Sequence, residues 1–452
     1  MPTPIHNLDD VVAYLNRHTD YEKQLGGRTR DTFDLERMHE ILNLLLRPET
    51  AYTCAHVAGT KGKGSTATFL AAMLQSQGLK TGLFTSPHLQ RLTQRIEING
   101  AEITEREMVE AFLQVVAVIE DKLAGAPDVT FFELLTVTAM VAFARAGVQI
   151  AVFEVGLGGR LDSTNVISPQ VCVITEIGLD HTQQLGSTIR EIAAEKAGII
   201  KPGIPVVCGA SDPEAVRTIH RVARDQEAPV LQFGREYSVR GVNRTGLELE
   251  FTADVQGQRY EKVRLRHPAR YMADNAAHAL CALEVLASVP DLLPEGTLHR
   301  DLALDALWRV SLPGKFEIFA AKPSVVIDSA HNELSLKAAL ATARAIASGP
   351  VVCVVGLAKD KDEEACMKRV AEVADGAVFT TYYSPRQGRP EDLLRTYTKF
   401  GGKAGSLQEH PEAALEVAIE QAGQDGLVLV TGSTYLAGIL RQAAQEYSAT
   451  GN

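Results

Sequence analysis

A glycine-rich segment near the N-terminus has the composition of a phosphate-binding loop. His56–Thr66 carries glycines at positions 59, 62 and 64, and Lys63 stands between the last two. Glycines allow the backbone N–H groups to turn inward, and a lysine adds a positive charge, so this segment can hold phosphate groups. Ser65 or Thr66 can offer a hydroxyl to Mg²⁺. The residue after Lys63 is Gly64 rather than a hydroxyl residue, which departs from the strict nucleotide-binding pattern and leaves a structural strand-to-helix turn as the alternative.

Three further strand-like runs end in polar residues that could do chemistry. These are Ser86 with His88, then Glu154, and then His181. Open α/β sheets bind ligands at the carboxyl ends of their strands, so all four side chains are candidates for a binding site. A carboxylate at the end of a buried strand needs a cation, which favours a functional Glu154. For His181 alone, a structural histidine and a metal-binding or catalytic one both stay open.

The elements that must position these residues alternate between strand and helix. The alternation predicts a mostly parallel sheet, and the period-two segment 237–265 predicts a small antiparallel patch after it. Leu312–Lys315 is the expected hinge, beyond which the alternation restarts as a smaller Rossmann-like α/β domain. We therefore predict two domains, residues 1–311 and 312–452, with their polar strand ends facing each other across a cleft.

Glu154 and His181 are expected at the ends of adjacent strands of the parallel sheet. The pattern also predicts an N-terminal helical hairpin, a tight turn at Asn99-Gly100, and a helix over Ser187–Lys196 with Ser187 as its cap, whereas no helix is predicted between residue 291 and the hinge.

Composition limits the class of protein. The 452 residues include 45 basic and 56 acidic ones, a net charge of −11, which argues against a nucleic-acid partner. The six cysteines lack metal-ligand spacing, so we expect buried free thiols. No leader-like or bilayer-length apolar run is found, and a cytoplasmic protein without a membrane partner is expected.

Taken together, the motifs resemble one family, the folylpolyglutamate synthase/dihydrofolate synthase group of the Mur-ligase superfamily. The resemblance runs in the family's order over nearly the whole chain, and its most specific stretch is Glu154–Asp162. The matching stretches are Tyr14–Asn16, Phe33–Met38, His56–Thr66, Thr85–Leu89, Arg95–Gly100, Glu154–Asn165, Leu179–Thr182, Glu195–Ile199, Asp328–Asn332 and Val430–Ser433. The implied fold is a Mur-ligase-type ATPase domain followed by a smaller α/β domain.

The resemblance also implies roles for individual residues. The positions expected to hold the ATP phosphates are Gly59, Thr60, Gly62, Lys63, Gly64 and Ser65. Ser86, Glu154 and His181 match Mg²⁺ positions, and Lys196 matches a lysine that is carbamylated in this family. The alternative for Lys196 is a solvated lysine near a helix C-terminus, where the helix dipole favours a positive charge. An ammonium group would repel a metal ion, whereas a carbamate is an anionic oxygen ligand that can bind a second Mg²⁺. Two Mg²⁺ ions are therefore expected. Lys63, His181, Lys196 and His331 are the implied catalytic residues.

Further residues match family positions near the adenine base and in the C-terminal site. Some residues there depart from the family's usual pattern. Asn275 matches a residue near the adenine, and Asp328 and His331 match positions near the nucleotide and the incoming glutamate. Lys315 stands where the family usually has arginine, which keeps the charge but loses the bidentate fork. Met272 replaces a common glutamine, and Glu333 replaces a proline.

The implied activity is an ATP-dependent ligase that joins L-glutamate to the carboxylate of a folate, of dihydropteroate, or of both, through an acyl phosphate. A monomer is expected. One alternative is a Mur-type ligase acting on another carboxylate, such as a cell-wall precursor. The other is a nucleotide-binding module that regulates a partner without forming a bond. Phosphate release that depends on both a folate and glutamate would separate a ligase from such a module.

Overall fold

Two α/β sheets organise the part of the chain that the computed structural model describes, which is residues 5–20, 35–122, 129–294 and 296–449. The N-terminal sheet has eight strands in the order β4-β3-β2-β5-β1-β6-β7-β8, with all pairs from β2 to β8 parallel. Its strands are β1 (Thr53–Ala58), β2 (Thr81–Phe84), β3 (Ile96–Ile98), β4 (Ala101–Glu102), β5 (Ile150–Glu154), β6 (Val171–Ile174), β7 (Val206–Cys208) and β8 (Val230–Gln232).

Helices cover both faces of this sheet because its central strands are apolar on both sides. All five residues of β5 are buried, as are all but the first of β1. The helices are α1 (Leu8–Leu15), α2 (Leu35–Leu44), α3 (Lys63–Ser76), α4 (Glu105–Lys122), α5 (Phe131–Ala146), α6 (Thr182–Leu185), α7 (Ile189–Ala197), α8 (Pro213–Asp225), α9 (Tyr271–Ala287) and α10 (Arg300–Arg309). A three-stranded antiparallel sheet packs into the same core as α3 and α9. Its strands are β9 (Tyr237–Thr245), β10 (Glu248–Val255) and β11 (Gln258–Leu265).

The C-terminal sheet has six strands in the order β12-β13-β17-β14-β15-β16. Only the β12–β13 pair is antiparallel. The strands are β12 (Glu317–Phe319), β13 (Ser324–Ile327), β14 (Val351–Val355), β15 (Gly376–Phe379), β16 (Gly405–Leu407) and β17 (Leu427–Thr431). The helices are α11 (Glu333–Ile346), α12 (Glu363–Val373), α13 (Pro390–Lys399), α14 (Pro411–Ala422) and α15 (Thr434–Ala449).

The predicted fold class is confirmed: a mostly parallel sheet with an antiparallel patch, followed by a smaller α/β unit. Three details differ. Strand β1 lies between β5 and β6, so Glu154 and His181 do not follow adjacent strands as expected. Helix α7 is capped by Thr188 and not by Ser187, because Glu191 completes a capping box with Thr188. Residues 300–309 form α10 in a segment with no predicted helix.

Two predictions extend beyond what the structure describes. The turn of the predicted N-terminal helical hairpin lies outside the described residues. The first two residues of the matching stretch Phe33–Met38 lie outside them as well. The division at residues 311 and 312 stays a prediction, although each sheet has apolar clusters of its own. Among the described residues, no helix combines the length and apolar character needed to cross a membrane.

Candidate active site

The glycine-rich loop forms a tight turn between β1 and α3. Gly59 has φ +147°, and a Cβ atom placed there would lie 1.9 Å from Thr175 Oγ1, so only glycine fits. The N–H groups of Thr60 and Lys61 donate to the Glu176 carbonyl at 2.8 and 3.3 Å, which ties the loop to the end of β6. These two groups are therefore occupied in holding the loop in place.

The start of α3 supplies the donors that face the cavity. Lys63, Gly64 and Ser65 form its first turn, where an α-helix has no internal acceptor for its N–H groups. This end of the helix also carries the positive end of the helix dipole, so the turn can bind an anion. Gly62, at φ +85°, caps the helix, and a Cβ atom there would lie 2.3 Å from Asn275 Oδ1. Asn275 is thus packed directly against the phosphate loop.

Glu154 lies against the same loop from the end of β5. Its carboxylate accepts a hydrogen bond from the Ser86 N–H at 3.0 Å, and its Oε2 would be 3.2 Å from a Cβ atom on Gly64. Burial raises the pKa of Glu154, and the positive charge of Lys63 acts against that rise. The geometry brings together Ser86, Glu154 and the first turn of α3, as the sequence predicted.

His181 and Lys196 enter the site from the opposite side of β1. His181 precedes α6 with φ +50°, and burial lowers the pKa of its ring to about 3, so the ring is neutral. Lys196 is buried, which contradicts the plain alternative of a solvated lysine at a helix end. Its Nζ donates to the Gly59 carbonyl at 2.8 Å, and burial lowers its pKa to about 7.

These side chains fit a bound Mg²⁺ in their chemistry. Glu154 offers a buried carboxylate, Ser86 a hydroxyl, and the neutral ring of His181 a lone pair. Among the described residues, no three His, Cys, Asp or Glu side chains converge on one point as a preformed metal cage. Mg²⁺ usually keeps several waters and takes one or two carboxylates together with substrate phosphates, so an all-protein cage is not required.

The C-terminal sheet supplies the facing wall through the loop after β13. Lys315 Nζ donates to Ser329 Oγ at 2.9 Å. As a lysine, it keeps the positive charge but cannot make the bidentate contact of an arginine guanidinium. The Asp328 carboxylate accepts the N–H groups of Phe316 and Ala330 at 2.8 and 2.9 Å, and burial raises its pKa. Asp328 therefore fixes the hinge segment against this loop.

His331 is held in one tautomer by its backbone contact. Its Nδ1 lies 2.8 Å from the Ser329 carbonyl, which requires a proton on Nδ1 and leaves a lone pair on Nε2. Burial, with the charges of Lys61 and Lys361, lowers the pKa of the ring well below its usual value. A neutral imidazole of this kind can accept a proton.

The structure adds a contact between the two sheets that the sequence did not indicate. Asp180 accepts hydrogen bonds from Lys61 of the phosphate loop at 3.2 Å, and from Lys361 and Asn332 beyond the hinge at 3.0 and 2.6 Å. The opposing lysines hold the pKa of Asp180 well below its usual range. In the sequence, the position of Asp180 directly before His181 is the one feature that points to a role in the site.

One cavity of about 690 Å³ collects these residues between the two sheets. Every residue to which the family resemblance assigns a role lines it. From the N-terminal side these are Gly59, Thr60, Gly62, Lys63, Gly64, Ser65, Ser86, Glu154, His181, Lys196 and Asn275, and from the C-terminal side Lys315, Asp328 and His331. The missed residues Lys61, Asp180 and Lys361 line it as well. The candidates His88 and Thr66 are not among its lining residues, because His88 Nδ1 accepts from Arg95 Nε at 2.9 Å and Thr66 Oγ1 donates to the Asn275 carbonyl at 3.5 Å.

Two family profiles match the chain. The "Mur ligase middle domain" matches residues 57–283, and the "Mur ligase, glutamate ligase domain" matches residues 314–434. The dihydrofolate synthase/folylpolyglutamate synthase of Bacillus subtilis is 34% identical over 90% of this chain and 94% of its own. The folylpolyglutamate synthase of Lacticaseibacillus casei is 33% identical over 96% of this chain and 98% of its own.

Solved structures agree with these relatives. Mycobacterium tuberculosis folylpolyglutamate synthase complexed with ADP has a TM-score of 0.88 at 30% identity, covering 97% of this chain and 98% of that one. Escherichia coli FolC in complex with DHPP and ADP has a TM-score of 0.85 at 29% identity, covering 98% and 99%. A bifunctional folylpolyglutamate synthase/dihydrofolate synthase with Mn, AMPPNP and L-glutamate bound has a TM-score of 0.83 at 27% identity, covering 98% and 99%. The chain therefore belongs to the folylpolyglutamate synthase/dihydrofolate synthase family of Mur ligases.

Proposed function

We propose that this protein is an ATP-dependent ligase that joins L-glutamate to the carboxylate of a folate, of dihydropteroate, or of both. The observation that supports it best is the cavity itself, in which a phosphate loop on one sheet faces His331 on the other. A phosphoryl donor and an amine can thus occupy the two walls of one cavity. Family relatives named for this reaction support the same assignment.

The N-terminal wall suits the activation of a carboxylate. ATP passes its γ-phosphoryl group to the substrate carboxylate, giving an acyl phosphate and ADP. Lys63 and the N–H groups of the first turn of α3 spread the charge of the phosphoryl group during transfer. Positioning the two reactants side by side also removes much of the entropic cost of their encounter.

The C-terminal wall suits the attack of an amine. The amino group of L-glutamate attacks the acyl carbon, and the tetrahedral intermediate then expels phosphate. Nε2 of His331 can accept the proton that the amine releases, because Nδ1 is already committed to the Ser329 carbonyl. The contacts of Asp180 with Lys361 and Asn332 join the two walls. Exclusion of water during the reaction would protect the acyl phosphate from hydrolysis.

A divalent metal belongs to this proposal through Ser86, Glu154 and His181. When bound, Mg²⁺ would neutralise phosphate charge during the transfer. A relative's structure with Mn and AMPPNP supports a divalent metal beside ATP in the family. A second ion would be held by a carbamate on Lys196.

The surroundings of Lys196 support its carbamylation. A neutral amine attacks CO₂, its nitrogen forms the bond to carbon, and one proton leaves, which gives an anionic N-carboxylate. The burial of Lys196 favours the neutral amine that this step needs. Carbamylation also removes a buried positive charge that would repel the metal. In its place it provides an oxygen ligand.

Phosphate release is the test. The protein is incubated with ATP and Mg²⁺ plus dihydropteroate or tetrahydrofolate, each with and without L-glutamate. We expect release that requires both a pterin carboxylate and glutamate, and the preferred acceptor identifies the activity. Turnover independent of both would contradict the proposal and favour a regulatory nucleotide-binding module.

A monomeric state and a cytoplasmic location are part of the same proposal.

A further inference from the structure

The backbone before Lys315 is held by the hinge itself and by residues beyond it. The Gly314 N–H donates to Glu317 Oε2 at 2.9 Å, and the Gly314 carbonyl accepts from the Ser329 N–H at 2.9 Å. The Lys315 N–H donates to the Leu312 carbonyl at 3.1 Å. None of these three contacts connects the hinge to the N-terminal sheet.

The Lys315 carbonyl is held from the other side, by a histidine that precedes α9. His267 Nε2 lies 2.8 Å from this carbonyl, and the Ala269 N–H donates to His267 Nδ1 at 3.1 Å. Because Nδ1 acts as an acceptor, the ring proton is on Nε2, which donates to Lys315. Burial lowers the pKa of His267 to about 4, so the ring is neutral at pH 7 and keeps this tautomer.

His267 is connected to the phosphate loop through α9. Its ring contacts Tyr271, the first residue of α9, edge-on with centroids 6.3 Å apart. Further along α9, Asn275 packs against Gly62, and its carbonyl accepts from Thr66 Oγ1 at 3.5 Å. A continuous path of contacts therefore runs from the phosphate loop through α9 and His267 to the backbone of Lys315.

The position of Lys315 matters because its charge acts on both walls of the cavity. Burial raises the pKa of Glu154 on one wall and of Asp328 on the other, and the positive charge of Lys315 acts against both rises. In the proposed reaction the phosphoryl group is transferred between these walls. A shift of Lys315 would therefore move a positive charge relative to the group that it can stabilise.

We propose that His267 is a positioning residue for the ligase reaction, which sets the place of Lys315 by holding its backbone carbonyl to the N-terminal wall. This inference rests on the proposed function, since it concerns the site of that reaction. His267 is not among the residues that line the cavity, so its effect on the reaction passes through Lys315.

Two amide side chains separate the two hydrogen bonds of the His267 ring. The amide of His267→Asn lies near the position of Nδ1, where it can still bond to Ala269 but does not reach Lys315. The longer amide of His267→Gln reaches the position of Nε2 and can donate to the Lys315 carbonyl. A misplacement of about 1 Å near reacting groups can lower a rate by about 100-fold. We expect His267→Asn to lower kcat/KM for ATP roughly 10- to 100-fold, and His267→Gln to recover most of this loss.

Two further variants complete the set. His267→Phe keeps a ring of similar shape beside Tyr271 but has no donor, so it should behave like His267→Asn. His220→Asn is the matched control, because His220 lies on α8 and bonds to Gln232. It should keep the wild-type kcat/KM. Thermal unfolding of each variant identifies those that are folded.

A double-mutant cycle tests whether His267 acts through Lys315. Lys315→Ala removes the charged side chain but keeps the backbone carbonyl, so the bond from His267 is retained. If His267 serves to place that charge, His267→Asn should cause little further loss in the Lys315→Ala protein. The same four proteins are compared in equilibrium binding of ATP, which the charge of Lys315 also attracts, so the cycle has a readout besides turnover.

Wild-type kcat/KM and ATP affinity in folded His267→Asn or His267→Phe would overturn the inference. Equal losses in His267→Asn and His267→Gln would overturn it as well, since the lost packing of the ring would then be responsible. Additive losses in the double-mutant cycle would show that His267 does not act through Lys315. A wild-type protein that binds ATP without glutamate-dependent phosphate release would instead defeat the proposed function, while the binding cycle would still test the role of His267.

Discussion

The contact between Gly438 and the loop after β2, which contains Ser86 and Leu89, leads to the most specific prediction. Gly438 lies in α15, beyond the hinge, and the carbonyl of Leu89 lies only 2.1 Å from where its Cβ atom would be. Gln90 Nε2 donates to the Gly438 carbonyl at 3.2 Å, so the loop is fastened at the same point. A substitution at Gly438 therefore acts on the loop after β2, in which the Ser86 N–H donates to the Glu154 carboxylate.

The displacement caused by Gly438→Ala can be worked out from these distances. Real Cβ contacts are essentially never shorter than 3.0 Å, so the carbonyl must move by at least 3.0 − 2.1 = 0.9 Å. A misplacement of about 1 Å near reacting groups can lower a rate by about 100-fold. Alanine also favours a helix interior by about 1 kcal/mol over glycine, so α15 itself should not be weakened. We expect kcat to fall about 100-fold in a folded protein.

Steady-state phosphate release and thermal unfolding test this expectation together. Gln442→Ala is the control, because Gln442 is exposed on the same helix and bonds to Glu446. A Gly438→Ala enzyme with wild-type kcat would refute the reasoning, since the loop would then tolerate the shift. A fall in kcat accompanied by an equal fall in the Gln442→Ala enzyme would point to a general effect of changes in α15.

Three other predictions follow from the site and the core. Lys63→Ala should lower turnover by about 100-fold or more with matched thermal unfolding, because its charge meets the transferring phosphoryl group; equal rates would contradict this. Lys196→Ala should lose activity that acetate or formate partly restores, and full activity in Lys196→Arg would exclude the carbamate. The six cysteines are buried with raised thiol pKa values, so iodoacetamide at pH 8 should label them only after denaturation; labelling of the native protein would contradict that burial.

Local features were predictable wherever the deciding residues are close in sequence. The phosphate loop depends on glycines within six positions, and the Asn99-Gly100 turn separates two short antiparallel strands as expected. The cap of α7 was also within reach, because Thr188 has Glu191 three positions later whereas Ser187 has Arg190. Helix α10 has no side-chain cap hydrogen bond, so its start gave little signal.

Features set by strand order and by the meeting of the sheets could not be predicted. The sequence places β5 and β6 next to each other along the chain, but the fold inserts β1 between them. Asp180 contacts Lys361, 181 positions later, and such a pair leaves no periodic pattern. Tyr382, which lines the cavity, depends on Gly356 and Tyr435 for its position, and these three residues come from the loop after β15, the loop after β14 and the start of α15.

The separate apolar clusters of the two sheets have a consequence for how the protein forms. The residues of the N-terminal clusters precede those of the C-terminal clusters along the chain, apart from Leu89, which packs against the C-terminal side. During synthesis the first unit can therefore complete its core before the second has emerged from the ribosome. The Leu89 side chain then lacks its partner until the last helix is made. A nascent chain at this stage can hold the loop after β2, which carries Ser86 and Leu89, on a completed N-terminal unit before α15 is present to pack against it.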